Sequence, residues 1–154
     1  MAEVLFYHLT LSPLEAALPD LLHKSRGRGW KVLVRGGDAG RLGWLDDRLW
    51  ATGDADFLPH GLAGGPHDAA QPILLTTKTD NPNAADILFA VDQAKVSAIE
   101  ANKFARVCLM FDGNDPVALD HARQQWRVLT EAGLPAKYWS QDSGSWQQKA
   151  SKNC

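Results

Sequence analysis

The sequence predicts a single α/β domain: one mostly parallel sheet with helices on its faces. Three observations carry this. The first stretch of about 50 residues alternates strand, helix, strand, helix, as parallel strands joined by crossover helices do. The two most apolar runs, Glu3 to Leu9 (EVLFYHL) and Phe104 to Phe111 (FARVCLMF), carry large apolar residues at successive positions, as strands buried on both faces do. Helix-start signals, Ser12-Pro13 and Asp115-Pro116, follow each of these runs. The layering is Rossmann-like, without a nucleotide-binding motif.

In chain order, the strand at Glu3 to Leu9 leads to Ser12-Pro13-Leu14-Glu15, a capping box with proline at the first helical position. Leu14, Leu18, Leu21 and Leu22 supply the buried face of that helix, Pro19 marks an irregular turn, and Gly27 or Gly29 ends it. Lys31 to Arg35 (KVLVR) reads as a second strand. Gly36 to Gly40 then turns into a helix whose stripe is Leu42, Leu45 and Leu49. Pro72 to Thr76 and Asp86 to Val91 read as strands joined by TKTDNPNAA, too short for a helix, which predicts an antiparallel or edge arrangement. Val96 to Lys103 is a connector or a single helical turn. Phe104 to Phe111 belongs near the sheet centre, and the helix opened by Asp115 and Pro116 runs to about Ala132, closed by Gly133. Pro135 to Gln141 makes a last strand. Residues 1–146 are expected to form the domain and 147–154 a polar, frayed tail, with Trp146 its only reason to dock.

A chain of 154 residues is long enough to bury a core without metal or disulfide staples. Cys108 lies in an apolar strand and Cys154 in the polar tail, so they are unlike partners, and the composition suits a reducing compartment. With no signal-like start and no long apolar run, a soluble, cytoplasmic protein with no membrane contact is expected. A net charge of -2 from 16 basic and 18 acidic residues disfavours strong direct nucleic-acid binding, which calls for a basic track.

Chemistry is thin. The Gly36 to Gly40 run is neither G-x-x-x-x-G-K-[ST] nor G-x-G-x-x-G and reads as a strand-to-helix turn. Asp54, Asp56, His60, His67 and Asp68 match no helix-based metal spacing. No G-x-S-x-G elbow is present. No catalytic residue, metal or cofactor is expected; the rival reading is a small α/β nucleotide-binding or hydrolytic domain with a degenerate motif.

Two features invite a partner. Around the end of the second helix, where the chain ought to turn polar, it carries Trp50, Phe57 and Leu58, followed by Pro59. Those side chains either fold back over the sheet edge or anchor another protein. On the last helix, Ala122, Gln125, Leu129 and Ala132 fall within about 40° of Ala118 and with it face the sheet. Leu119 and Trp126 stand at the edge of that face, beside Arg123 and Arg127. That edge is either a solvated basic margin or a place to hold an acidic peptide with an apolar side chain.

The motifs FYHL, LDDRLW, FLPHGLAG, YWSQDSGSW and QQKA, in this order from Phe6 to Ala150, resemble the chi subunit of bacterial DNA polymerase III holoenzyme. The resemblance implies a noncatalytic α/β adaptor in the clamp-loader complex. Such an adaptor pairs with the psi subunit and binds the acidic, phenylalanine-ended C-terminal tail of single-stranded DNA-binding protein. It further implies that Trp50 and Phe57, with Leu58 and Pro59, face psi or an accessory helicase. The residues matching the family's tail site are Arg123, Trp126 and Arg127. One turn earlier, where some relatives carry lysine, this chain has Leu119, which leaves the site less basic or recruits Lys103 or Lys137.

Overall fold

The computed structural model describes residues 2–51, 59–141 and 146–154. The elements run β1 (Glu3–Leu9), α1 (Leu14–Gly27), β2 (Val32–Gly36), α2 (Ala39–Trp50), β3 (Gly61–Leu62), β4 (Ile73–Thr76), β5 (Ile87–Val91), α3 (Ala98–Ala101), β6 (Arg106–Asp112), α4 (Pro116–Glu131), β7 (Ala136–Ser140) and β8 (Gln147–Lys152). Among the described residues the strands form one sheet in the order β3-β4-β2-β5-β6-β1-β7-β8. Every pairing is parallel except β7 with β8. The α/β fold is as expected, and β6 lies inside the sheet between β5 and β1.

Successive strand residues point to opposite faces, and each face is covered. Val4, Phe6, Leu33, Leu88, Val107 and Leu109 pack with Ala118, Ala122 and Leu129 of α4. Leu5, Val32, Val34, Phe89, Cys108 and Met110 pack with Leu14, Leu18 and Leu22 of α1 and Leu42, Leu45 and Leu49 of α2. Both faces being dry explains why the strands read as unbroken apolar runs. The starts of α2 and α4 follow the capping chemistry: Asp38 Oδ2 accepts from Arg41 N at 2.8 Å and Asp115 Oδ1 from Val117 N at 3.0 Å. The glycine-rich turn before α2 is a packing device, since a Cβ on Gly37 would sit 2.2 Å from the Asp92 carbonyl oxygen. Val96 to Lys103 contains a single turn, α3, capped by Ser97 Oγ accepting from Glu100 N at 3.1 Å.

Four expectations are corrected. The β4 and β5 strands are neither antiparallel to each other nor an edge pair; each pairs in parallel with β2, which lies between them. The helix-free connection across β2 is held by β2 itself. Arg35, 3% exposed, donates to the carbonyls of Lys78 (3.0 Å), Thr79 (3.4 Å) and Lys95 (3.4 Å) and pairs with Glu100 at 2.5 Å. Buried Asn83 Nδ2 donates to the Val32 and Gln71 carbonyls, both at 3.0 Å. Backbone groups that a crossover helix would satisfy internally are met by these side chains. Replacing Arg35 with Met keeps the bulk and removes the donors, so chemical denaturation should show a stability loss of about 2 kcal/mol. A midpoint equal to wild type would mean the loop is held by other contacts.

The capping box at Ser12 does not form. Pro13 occupies the N-cap position without a side-chain bond, because the N–H groups of Thr10, Leu11 and Ser12 all donate to Gln141 Oε1 at 3.1 to 3.2 Å. Ala132 is exposed, beyond the last turn of α4. The tail expected to fray instead forms β8, paired with β7 from Ala136↔Lys152 to Ser140↔Gln147. Asn153 Nδ2 ties its end down by donating to the Thr130 and Leu134 carbonyls at 2.9 and 3.0 Å, and Trp146 packs edge-on against Tyr7 at 5.0 Å. Among the described residues no helix is long and apolar enough to cross a membrane.

Candidate functional site

One candidate site lies on α4. Asp115 and Pro116 start this helix, and its small residues Ala118 and Ala122 let it approach the sheet closely. Its rotation is set by Gln125, a buried amide on the sheet-facing stripe. Its Oε1 accepts from Val96 N at 2.7 Å and its Nε2 donates to Val96 O at 3.0 Å, a peptide-like pairing to the loop after β5. With Gln125 fixed, Trp126 must lie along the β1–β7 side and Arg123 and Arg127 must stand in solvent.

Beneath Trp126 runs a floor of rings. Trp126 meets Phe6 edge-on at 5.2 Å and Tyr138 at 6.1 Å. The Tyr138 hydroxyl hydrogen-bonds His8 Nδ1 at 2.8 Å, and His8 stacks on Phe111 at 5.2 Å. Gly113 is required at this place, because a Cβ there would lie 1.9 Å from His8 Nε2. Over the floor opens a groove of about 700 Å³, lined by Leu119, Arg123, Trp126 and Arg127 from α4 and by Lys149 and Lys152 from β8. All four α4 residues singled out in the sequence are thus brought together, and Leu119 and Trp126 are half buried on the core beside them.

The expected substitute cations are corrected. Lys137 is held by Glu3 at 3.1 Å, and neither it nor Lys103 lines the groove. Its second cationic rim is Lys149 and Lys152. Sequence reasoning missed these because a strand of Gln, Lys, Ala and Ser carries no apolar alternation; Trp146, which docks it, was the available signal. With Glu131 as the acid at one end, the groove combines an aromatic wall, an apolar Leu119 and four cations. It suits an acidic chain bearing an apolar side chain.

A second surface is built at the end of α2. Trp50 is 47% exposed and stacks on buried His60, ring centres 4.1 Å apart at 29°. His60 Nε2 in turn lies 3.2 Å from Asp46 Oδ1 and donates toward the Asp46 carbonyl at 3.3 Å. Burial raises the Asp46 carboxyl above its ordinary value, and His60 and a hydrogen bond with Trp50 partly counter that rise. Pro59 is exposed beside this stack in sequence. Phe57 and Leu58 lie outside the described residues, as do Asp54 and Asp56. Of the other loop groups considered for a metal, Asp68 builds its own turn by accepting from Gly64 N (2.8 Å) and Gly65 N (3.1 Å). Among the described residues no cluster of three potential ligands occurs.

The decisive comparison is with protein families. The family model for the DNA polymerase III chi subunit (HolC) matches residues 1–137. The chain belongs to this family. A relative named a probable DNA polymerase III subunit chi, from Rickettsia prowazekii (strain Madrid E), is 26% identical over 117 residues, covering 73% of this chain and 71% of the relative. This chi-family chain carries β8, with Lys149 and Lys152, beyond the matched stretch. The Cys108 thiol, buried in β6, is pushed well above its ordinary value by burial, which keeps it protonated and inert.

Proposed function

We propose that this chi-family chain is a noncatalytic adaptor of the DNA polymerase III holoenzyme. In this reading it links the clamp loader, through the psi subunit, to the acidic C-terminal tail of single-stranded DNA-binding protein. The observation that carries the reading is the α4–β8 groove, in which Arg123, Arg127, Lys149 and Lys152 ring Trp126 and Leu119. A phenylalanine side chain has an aromatic wall to pack on, its terminal carboxylate has guanidinium groups for paired hydrogen bonds, and flanking acids meet the lysines. Trp50 on its His60 support, with Pro59 and with Phe57 and Leu58, is the matching proposal for the psi or helicase surface. The purified chain should retain intact single-stranded DNA-binding protein on a column and fail to retain a version lacking its C-terminal tail. Equal retention of both would put the contact elsewhere.

A further inference from the structure

On the sheet face opposite α4, α1 and α2 pack over β2, β4 and β6, and the β1–β7 end of that face is finished by rings instead of a helix. Tyr7, Trp30, Trp139 and Trp146, all half buried, surround a cavity of about 500 Å³. Its rim carries Lys24 and Arg28, exposed and in no ion pair among the described residues, and Arg106. The Arg28 guanidinium lies 4.0 Å over the Trp30 ring. Arg106 is tied to Glu3 at 3.2 Å, and Lys137 takes the other Glu3 oxygen at 3.1 Å, so this carboxylate is already shared between two cations. Nothing in the α4–β8 groove uses these residues.

The uncommitted polar atoms here have one property in common: they donate. Trp139 Nε1 and Arg106 Nε are buried without a hydrogen-bond partner among the described residues. Burial raises the Tyr7 hydroxyl well above its ordinary value, so it keeps a proton to give. Ser25 spends its hydroxyl on the Leu21 carbonyl at 2.8 Å. The two buried groups without partners, Trp139 Nε1 and Arg106 Nε, can only donate and so ask for acceptors, and ring walls ask for a flat group between them.

We infer that this cavity takes one nucleotide of a single-stranded nucleic acid. The base lies among the rings of Tyr7, Trp139 and Trp146, and its phosphate lies against Arg28 and Lys24. An aromatic side chain of a peptide fills the same space but leaves the Trp139 and Arg106 donors unpaired in a desolvated floor. A base brings ring-plane oxygen and nitrogen acceptors to them while stacking equally well. With only two free cations and a chain net charge of -2, the contact is a weak one, confined to this cavity, and does not amount to a basic track. It does not rest on the adaptor reading above.

The test is fluorescence anisotropy of a labelled oligothymidylate of about eight nucleotides, with tryptophan emission followed in parallel. Wild type should give a saturable signal with emission quenching. The affinity should fall by about tenfold between about 50 and 300 mM salt, as neutralising two phosphates requires. Arg28→Glu should weaken binding about tenfold or more. Lys78→Glu, the same charge change in the exposed loop after β4, should stay within about twofold. Absence of binding at the lower salt would overturn the inference. So would equal losses in the two variants, which indicate diffuse charge. Displacement of the oligonucleotide by an acidic, aromatic-ended peptide whose own binding is lost in Arg28→Glu would assign the cavity to a peptide instead.

Discussion

Truncating Trp126 to alanine is expected to weaken binding of an acidic, phenylalanine-ended peptide by about 3 kcal/mol, on the order of a hundredfold. The indole is the groove's aromatic wall, seated on Phe6 and Tyr138 with the arginines to either side. Removing it opens the wall to water as well as deleting the contact. Because Trp126 also packs on the core, Arg123→Ala is the companion variant. Arg123 is exposed and off the core, so the fold should be untouched while binding falls by roughly 1.5 to 3 kcal/mol, more at low salt than at high. Calorimetry measures both. An Arg123→Ala isotherm that overlays wild type would exclude this groove as the peptide site.

Trp50→Ala should abolish co-purification with psi, with a loss of about 2 kcal/mol or more. The residue is placed for such a role: it is the last of α2, its ring is half in solvent, and its inner face rests on His60, which Asp46 steadies from within the same helix. Since Leu42, Leu45 and Leu49 make the core contact of α2, the substitution should leave circular dichroism and the unfolding midpoint close to wild type. Undiminished association of a well-folded variant would withdraw Trp50 from the psi surface.

What the sequence made legible was local. Strand and helix identities follow from apolar runs and caps, and the rotation of α4 follows from the spacing of Ala118, Ala122, Gln125 and Leu129, which puts Arg123, Trp126 and Arg127 on one edge. What it hid was non-local. That β4 and β5 flank β2 depends on Arg35 and Asn83 bonding to backbone more than 40 residues distant in the case of Lys78 and 51 residues distant in the case of Val32, contacts with no sequence period. The capping box failed because Gln141 takes the Ser12 amide, which Glu15 would have met, from 129 residues away. β8 was missed because its stability comes from pairing to β7, from Asn153 and from Trp146, while its own composition is polar. Missing β8 meant missing half of the groove's positive charge.

On the proposed two-surface reading, the arrangement of α2 and α4 sets how two guests would share the molecule. α2 lies on one side of the sheet toward the β3–β4 margin, and α4 lies on the other side toward β7. A body seated at Trp50 and one seated at Trp126 are kept apart by a stiff slab of paired strands, so neither crowds the other. Each is then held at a constant distance from its neighbour, and tethering one raises the local concentration of the other without any change of shape.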